Sequence, residues 1–78
     1  MISIDARGLR NPEHIRAFRD RFEGICAVFE DVELLIDDHP SDLKRLEMYL
    51  RSCRAHFNAE KRSGHIMVHI QQPFYLCG

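Results

Sequence analysis

The apolar residues of this chain change their spacing several times, and that change limits its fold more than any other feature. Ile2-Ser3-Ile4-Asp5-Ala6 alternates apolar with polar, and Val32, Leu34 and Ile36 stand out at every second place. Ala55, Phe57 and Ala59 alternate with His56, Asn58 and Glu60; Ile66, Val68 and Ile70 alternate with His65, Met67 and His69. A period of two puts every second side chain on one face, so these four runs predict strands buried on one side. Between the first two, Ile15, Phe18, Phe22 and Ile25 recur at helical spacing, with Arg16, Arg19, Asp20 and Glu23 on the other side. Between the second and third, Leu43, Leu46, Leu50 and Cys53 form a similar stripe, with Lys44, Arg45, Glu47 and Arg51 off it. Each stripe is the apolar face of an amphipathic helix. The expected order is β-α-β-α-β-β, and the expected fold is an α+β two-layer sandwich, two helices on one face of a four-stranded mixed sheet.

The punctuation agrees. Asn11-Pro12-Glu13 reads as a helix start: Asn caps, Pro takes the first helical position and Glu complements the positive dipole end. Gly24 is the expected stop. Asp37-Asp38 followed by Pro40 opens the second helix, and Lys61-Arg62-Ser63-Gly64 is the expected hairpin loop. Residues 1–70 are then one domain and 71–78 a C-terminal tail, whose Pro73-Phe74-Tyr75-Leu76 either packs back or contacts a partner.

A chain of 78 residues has room for one core, burying about 60% of its unfolded surface. With 45% hydrophobic and 29% charged residues, the balance is that of a globular domain and excludes disordered and fibrous classes. No apolar run approaches the ~20 residues needed to span a bilayer. Met1-Ile2-Ser3-Ile4-Asp5 has no basic, apolar leader character, so the expected compartment is the cytoplasm, with no membrane partner.

Cys26, Cys53 and Cys77 are an odd set without C-x-x-C spacing. Reduced thiols are expected, rather than a disulfide framework or a zinc site. Cys53, on the second stripe, is expected to be a packed core thiol. His65 and His69 have the spacing a helix uses to chelate zinc, but on a strand they stand about 13 Å apart, too far for one ion. His14 and His39 could meet only from separate loops, so neither metal nor cofactor is expected. No Gly-rich phosphate loop, G-x-S-x-G elbow or H-E-x-x-H motif occurs.

Net charge is −1, but the charges are segregated: residues 22–42 hold seven acids and no base, residues 43–63 six bases and two acids. Nine of the eleven bases are Arg, whose planar fork suits carboxylate or phosphate. Arg7, Arg10 and Arg16 cluster at the first strand-to-helix junction, which suggests an anion or an acidic partner there. A pI near 6.5 opposes non-specific phosphate binding, so RNA is a weaker candidate, reached only through a local Arg patch. The plainer alternative is that these charges are solvated helix faces.

The stretch Asp5-Ala6-Arg7-Gly8-Leu9-Arg10-Asn11-Pro12-Glu13-His14 resembles the N-terminal signature of the TusA-like family, also called SirA/YedF-like, which reads Asp-x-x-Gly-Leu-x-Cys-Pro-x-Pro. Asp5, Gly8, Leu9 and Pro12 match; Asn11 stands where the family has Cys and His14 where it has the second Pro. Val32 to Asp38 with Pro40 looks like the family's second strand and acidic turn, and the resemblance covers about residues 2–70. It implies the same two-layer fold and a sulfur relay through a persulfide on that Cys, for example toward tRNA thiolation. A Cys at a helix N-terminus is favoured as thiolate, whereas the Asn11 amide neither accepts nor donates sulfane sulfur. The expectation is therefore a non-catalytic module that binds a protein partner, such as a member of a sulfur-relay system, or a small anion. Its binding residues would be Arg7, Gly8, Arg10, Asn11, Pro12, His14 and Arg16, with His14 partly exposed on the first helical turn. The alternatives are a sulfur carrier using Cys26 or Cys77, neither at a helix N-terminus, and a small structural subunit of a complex.

Overall fold

Four strands pair edge to edge because their apolar faces coincide in register. The structure, a computed structural model, describes residues 1–77. Its elements are β1 (Ile2–Asp5), α1 (Glu13–Asp20), β2 (Ala27–Val28), β3 (Val32–Asp37), α2 (Pro40–Ser52), β4 (His56–Arg62), β5 (His65–Gln71) and β6 (Phe74–Tyr75). The main sheet has the order β1-β3-β5-β4, with β1 parallel to β3 and the other pairs antiparallel. This is the mixed four-stranded sheet with two helices that the alternating runs predict.

Ile2 and Ile4 stand beside Val32 and Leu34, and Val32, Leu34 and Ile36 stand opposite Ile70, Val68 and Ile66. Those six residues of β3 and β5 are buried, and they join Phe18 and Phe22 from α1 and its following turn, and Leu46, Leu50 and Cys53 from α2 and its C-cap, in one core. A fully buried Leu, Ile or Phe side chain contributes about 1.5–3 kcal/mol, so this layer dominates the fold's stability. β4 is the exception. It lies at the sheet edge, where Phe57 is half-buried and Ala59 is exposed, so its alternation fills little of the core.

Several boundaries differ from the sequence reading. α1 stops at Asp20, and Arg21 to Gly24 continue as turns, closed by Gly24 at φ +82°. Ile25 consequently leaves the helical stripe and is 48% exposed. The hairpin between β4 and β5 turns on Ser63-Gly64 alone, because Lys61 and Arg62 pair with Ile66 and His65. Gly64 has φ +77° while Ser63 does not have a positive φ, the pattern of a type II turn, which needs a left-handed residue at its third position.

The tail packs back. Val28 pairs with Phe74 and Ala27 with Tyr75, forming a two-stranded ribbon of β2 and β6. Tyr75 N–H donates to the Cys53 carbonyl and Leu76 N–H to the Cys26 carbonyl. Phe74 is fully buried, with its ring 5.7 Å from Phe18 and 5.8 Å from Phe22, centroid to centroid. Cys26 and Cys77 are joined in a disulfide across 51 residues, which corrects the expectation of reduced thiols. An odd cysteine count says nothing about which two meet, and here the returning tail brings them together. Closing a loop of that length removes about 4 kcal/mol of unfolded-chain entropy in the simplest account. Cys53 is the free thiol, buried as expected.

Candidate functional site

The residues that carry the family resemblance lie in the loop from β1 to α1, and almost all of that loop is exposed. Arg7, Gly8, Leu9, Arg10, Asn11 and Pro12 face solvent. Yet the loop is anchored. Gly8, with φ +86°, turns its N–H toward Asp37 at the end of β3 and donates to Oδ2 at 2.8 Å. Arg10 Nε donates to Asp42 Oδ2 in the first turn of α2 at 2.8 Å. The acidic turn at the end of β3 and the first turn of α2 thus each supply one acceptor that positions this loop.

Asn11 does not cap α1. The helix begins at Glu13, its N-cap is Pro12, and no side chain bonds to the free N–H groups. The reason lies in the preceding turn: Glu13 N–H donates to the Arg10 carbonyl, and Ile15 and Arg16 N–H to that of Pro12. Those bonds satisfy first-turn donors that a capping side chain would otherwise serve. Asn11 is left as an exposed amide at the loop's tip.

His14 is also placed differently from expectation. It is fully buried, and its Nε2 lies 3.0 Å from the Asp42 carbonyl oxygen. A carbonyl only accepts, so Nε2 carries the proton and donates; Nδ1 then has no partner among the described residues. His14 is a packing and positioning residue between α1 and α2 rather than a surface group.

The three arginines are not a free basic cluster. Arg7 donates from Nε and Nη2 to Asp5, Arg10 to Asp42, and Arg16 from Nη1 to Glu13. Hydrogen bonds from the Arg7 guanidinium and then its backbone N–H pull Asp5 down to about 2, and the same pairing raises Arg7. The hydrogen bond from Arg10 likewise holds Asp42 below the usual carboxylate range, against its burial, with smaller help from the charges of Arg10 and His14 and the Asn11 N–H. Every cation of the junction therefore has a carboxylate partner, which leaves an exposed surface with little net charge.

Cys26 and Cys77 lie away from this junction, at the other end of α1. They line a cleft of about 390 Å³ together with Arg19, Asp20, Glu23 and Ile25. Both cysteines are exposed. Burial pushes the remaining thiol, Cys53, up, which makes it a poor nucleophile. Tyr49, beside it, is pushed up to about 12 chiefly by burial. His39 precedes α2, and His65 and His69 stand on the sheet face away from the core. Among the described residues no three metal-ligating side chains come together, and no helix is long and apolar enough to cross a membrane.

Sequence reasoning missed Asp37 and Asp42 as anchors and missed the disulfide. The signal for the disulfide lay in two short apolar runs, Ile25-Cys26-Ala27-Val28-Phe29 and Phe74-Tyr75-Leu76-Cys77, each carrying one Cys. The chain matches no known protein-family model, no curated protein and no solved structure.

Proposed function

We propose that this chain is a cytoplasmic TusA/SirA-like domain without the sulfur-carrying Cys, a non-catalytic module that binds a protein partner through its β1–α1 loop. The observation that carries this reading is the loop's combination of exposure and anchorage. Residues 7–12 face solvent, while bonds from Gly8 to Asp37 and from Arg10 to Asp42 hold the backbone and one side chain in place. A surface held in one conformation loses little entropy on binding, which favours recognition. The pairing of Arg7, Arg10 and Arg16 with carboxylates favours a mixed polar protein surface over a free anion or RNA, since an incoming phosphate would have to displace each carboxylate. Asn11 at the tip supplies an amide donor and acceptor where the family motif has a thiol.

Intact-mass measurement after incubation of the reduced protein with a cysteine desulfurase and cysteine tests this reading. Wild type should gain no sulfur, and Asn11→Cys should gain one at position 11. Sulfur mapped to Cys26 or Cys77 of the wild type would instead make the domain a relocated carrier. A failure of Asn11→Cys to load would remove the relation to the relay family.

A further inference from the structure

We propose that Cys26–Cys77 is a thiol–disulfide exchange centre whose substrate is a small zwitterionic thiol of peptide size, bound in the cleft beside it. The inference stands independently of the β1–α1 loop, which lies at the opposite end of α1.

Three observations lead to it. First, both cysteines are exposed and line the cleft, so a thiol seated there meets the disulfide directly. Structural disulfides that only staple a core need no such access. Second, the bond is not what seats the tail. Phe74 is buried against Phe18 and Phe22, β6 pairs with β2, and Tyr75 and Leu76 bond to the carbonyls of Cys53 and Cys26. Opening the S–S bond leaves those contacts in place, so the two thiols stay side by side, ready to close again. Third, the cleft's volume of about 390 Å³ is that of a small-ligand site. Its walls carry one cation, Arg19, with its Nε 3.7 Å from Asp20 Oδ1, and a second anion, Glu23, around the apolar Ile25. That pair is looser than the 2.8 Å pairs of the β1–α1 loop and is too long for a hydrogen bond, so both groups stay open to a ligand. A thiol with both carboxylate and ammonium groups matches that charge pattern; a neutral thiol does not.

The chemistry balances without a further reagent. The thiolate of the incoming thiol attacks one sulfur of the pair, the S–S bond breaks, and the other sulfur leaves as thiolate and takes a proton from water. A second thiol attacks the mixed disulfide, releasing the small disulfide and the second protein thiol. Two electrons pass from two thiols to the protein pair, and the reverse sequence, with the small disulfide as oxidant, restores Cys26–Cys77.

The test uses the wild-type protein equilibrated at neutral pH in mixtures of reduced and oxidised glutathione, quenched by alkylation, weighed intact and mapped. The expected result is reversible conversion between the disulfide and the folded dithiol, monitored by circular dichroism. Cys26→Ser and Cys77→Ser should each trap one glutathionyl group on the remaining tail or ribbon cysteine. At equal thiolate concentration cysteinylglycine, which carries one carboxylate and one ammonium, should react about tenfold faster than mercaptoethanol, the factor expected of one favourable charged contact, and Arg19→Gln should bring the ratio toward one. A disulfide that persists in excess reduced glutathione, or a dithiol form that unfolds, would make the bond purely structural and overturn the proposal. Equal rates for the charged and neutral thiols would overturn the assigned substrate class.

Discussion

Arg10 Nε lies 2.8 Å from Asp42 Oδ2, across 32 residues of sequence, and ties the β1–α1 loop to the first turn of α2. The Asp42 side chain is only 7% exposed, whereas that of Arg10 is 59% exposed. Removing the arginine therefore leaves a buried carboxylate without its charged donor. Arg10→Ala should cost about 1–2 kcal/mol, discounted for the solvent that already screens the guanidinium. Urea denaturation would show this as a lower midpoint with an unchanged slope; an unchanged midpoint would mean that water replaces the guanidinium at no cost.

Acid should weaken the same junction. Asp5 titrates at about 2 in the folded protein and Asp42 also lies low, against about 3.9 for an unfolded aspartate. A depressed folded value means that the unfolded chain binds protons first, so stability is fully present above about pH 4 and is lost as pH falls through the folded values. Arg7→Gln should return Asp5 to near 3.9, read by a carbon-detected NMR titration of its carboxyl. A midpoint that stays near 2 in that variant would assign the shift to something other than Arg7.

The ribbon places Phe74 under the core and Tyr75 outside it. Phe74→Ala should cost about 3–5 kcal/mol, since it empties a site between Phe18 and Phe22, and Tyr75→Ala less than about 1 kcal/mol. For a domain of this size the first should lower Tm by more than about 10 °C. Similar Tm values for the two variants in thermal melts would show that the tail is not seated as described.

Gly8 isolates backbone strain from crowding. A Cβ there meets no atom within 4 Å, yet φ is +86°. Gly8→Ala should cost about 1–2 kcal/mol from the left-handed conformation alone, and Gly8→Asn less, because Asn tolerates that region. Equal effects of the two substitutions in denaturant titrations would point to a rearranged loop.

The resemblance motif reads differently once its surroundings are known. Gly8 does what its place in the motif suggests, turning the chain toward α1, but Asn11 caps nothing and His14 is buried. Both differences come from contacts made by other segments: the turn at Arg10–Glu13 uses the first-turn donors, and the Asp42 carbonyl draws His14 inward from 28 residues away. Arg7, Arg10 and Arg16 were visible as a basic group, while their partners Asp5, Asp42 and Glu13 were visible only as separate acids. Cys53 was legible as a core thiol because it continues the Leu46–Leu50 stripe.

By itself the sequence determined the four main strands, the two helices and the buried faces of β3, β5 and α2. These follow from spacing between near neighbours, and the backbone's periods of two and 3.6 convert that spacing directly into faces. Only the tertiary structure decided that Cys26 meets Cys77, that Phe74 enters the aromatic core, that Asp42 receives Arg10 and that His14 loses its solvent. Each of these joins residues 28 to 56 positions apart, where the partner is fixed by how the layers close on one another and by no local pattern.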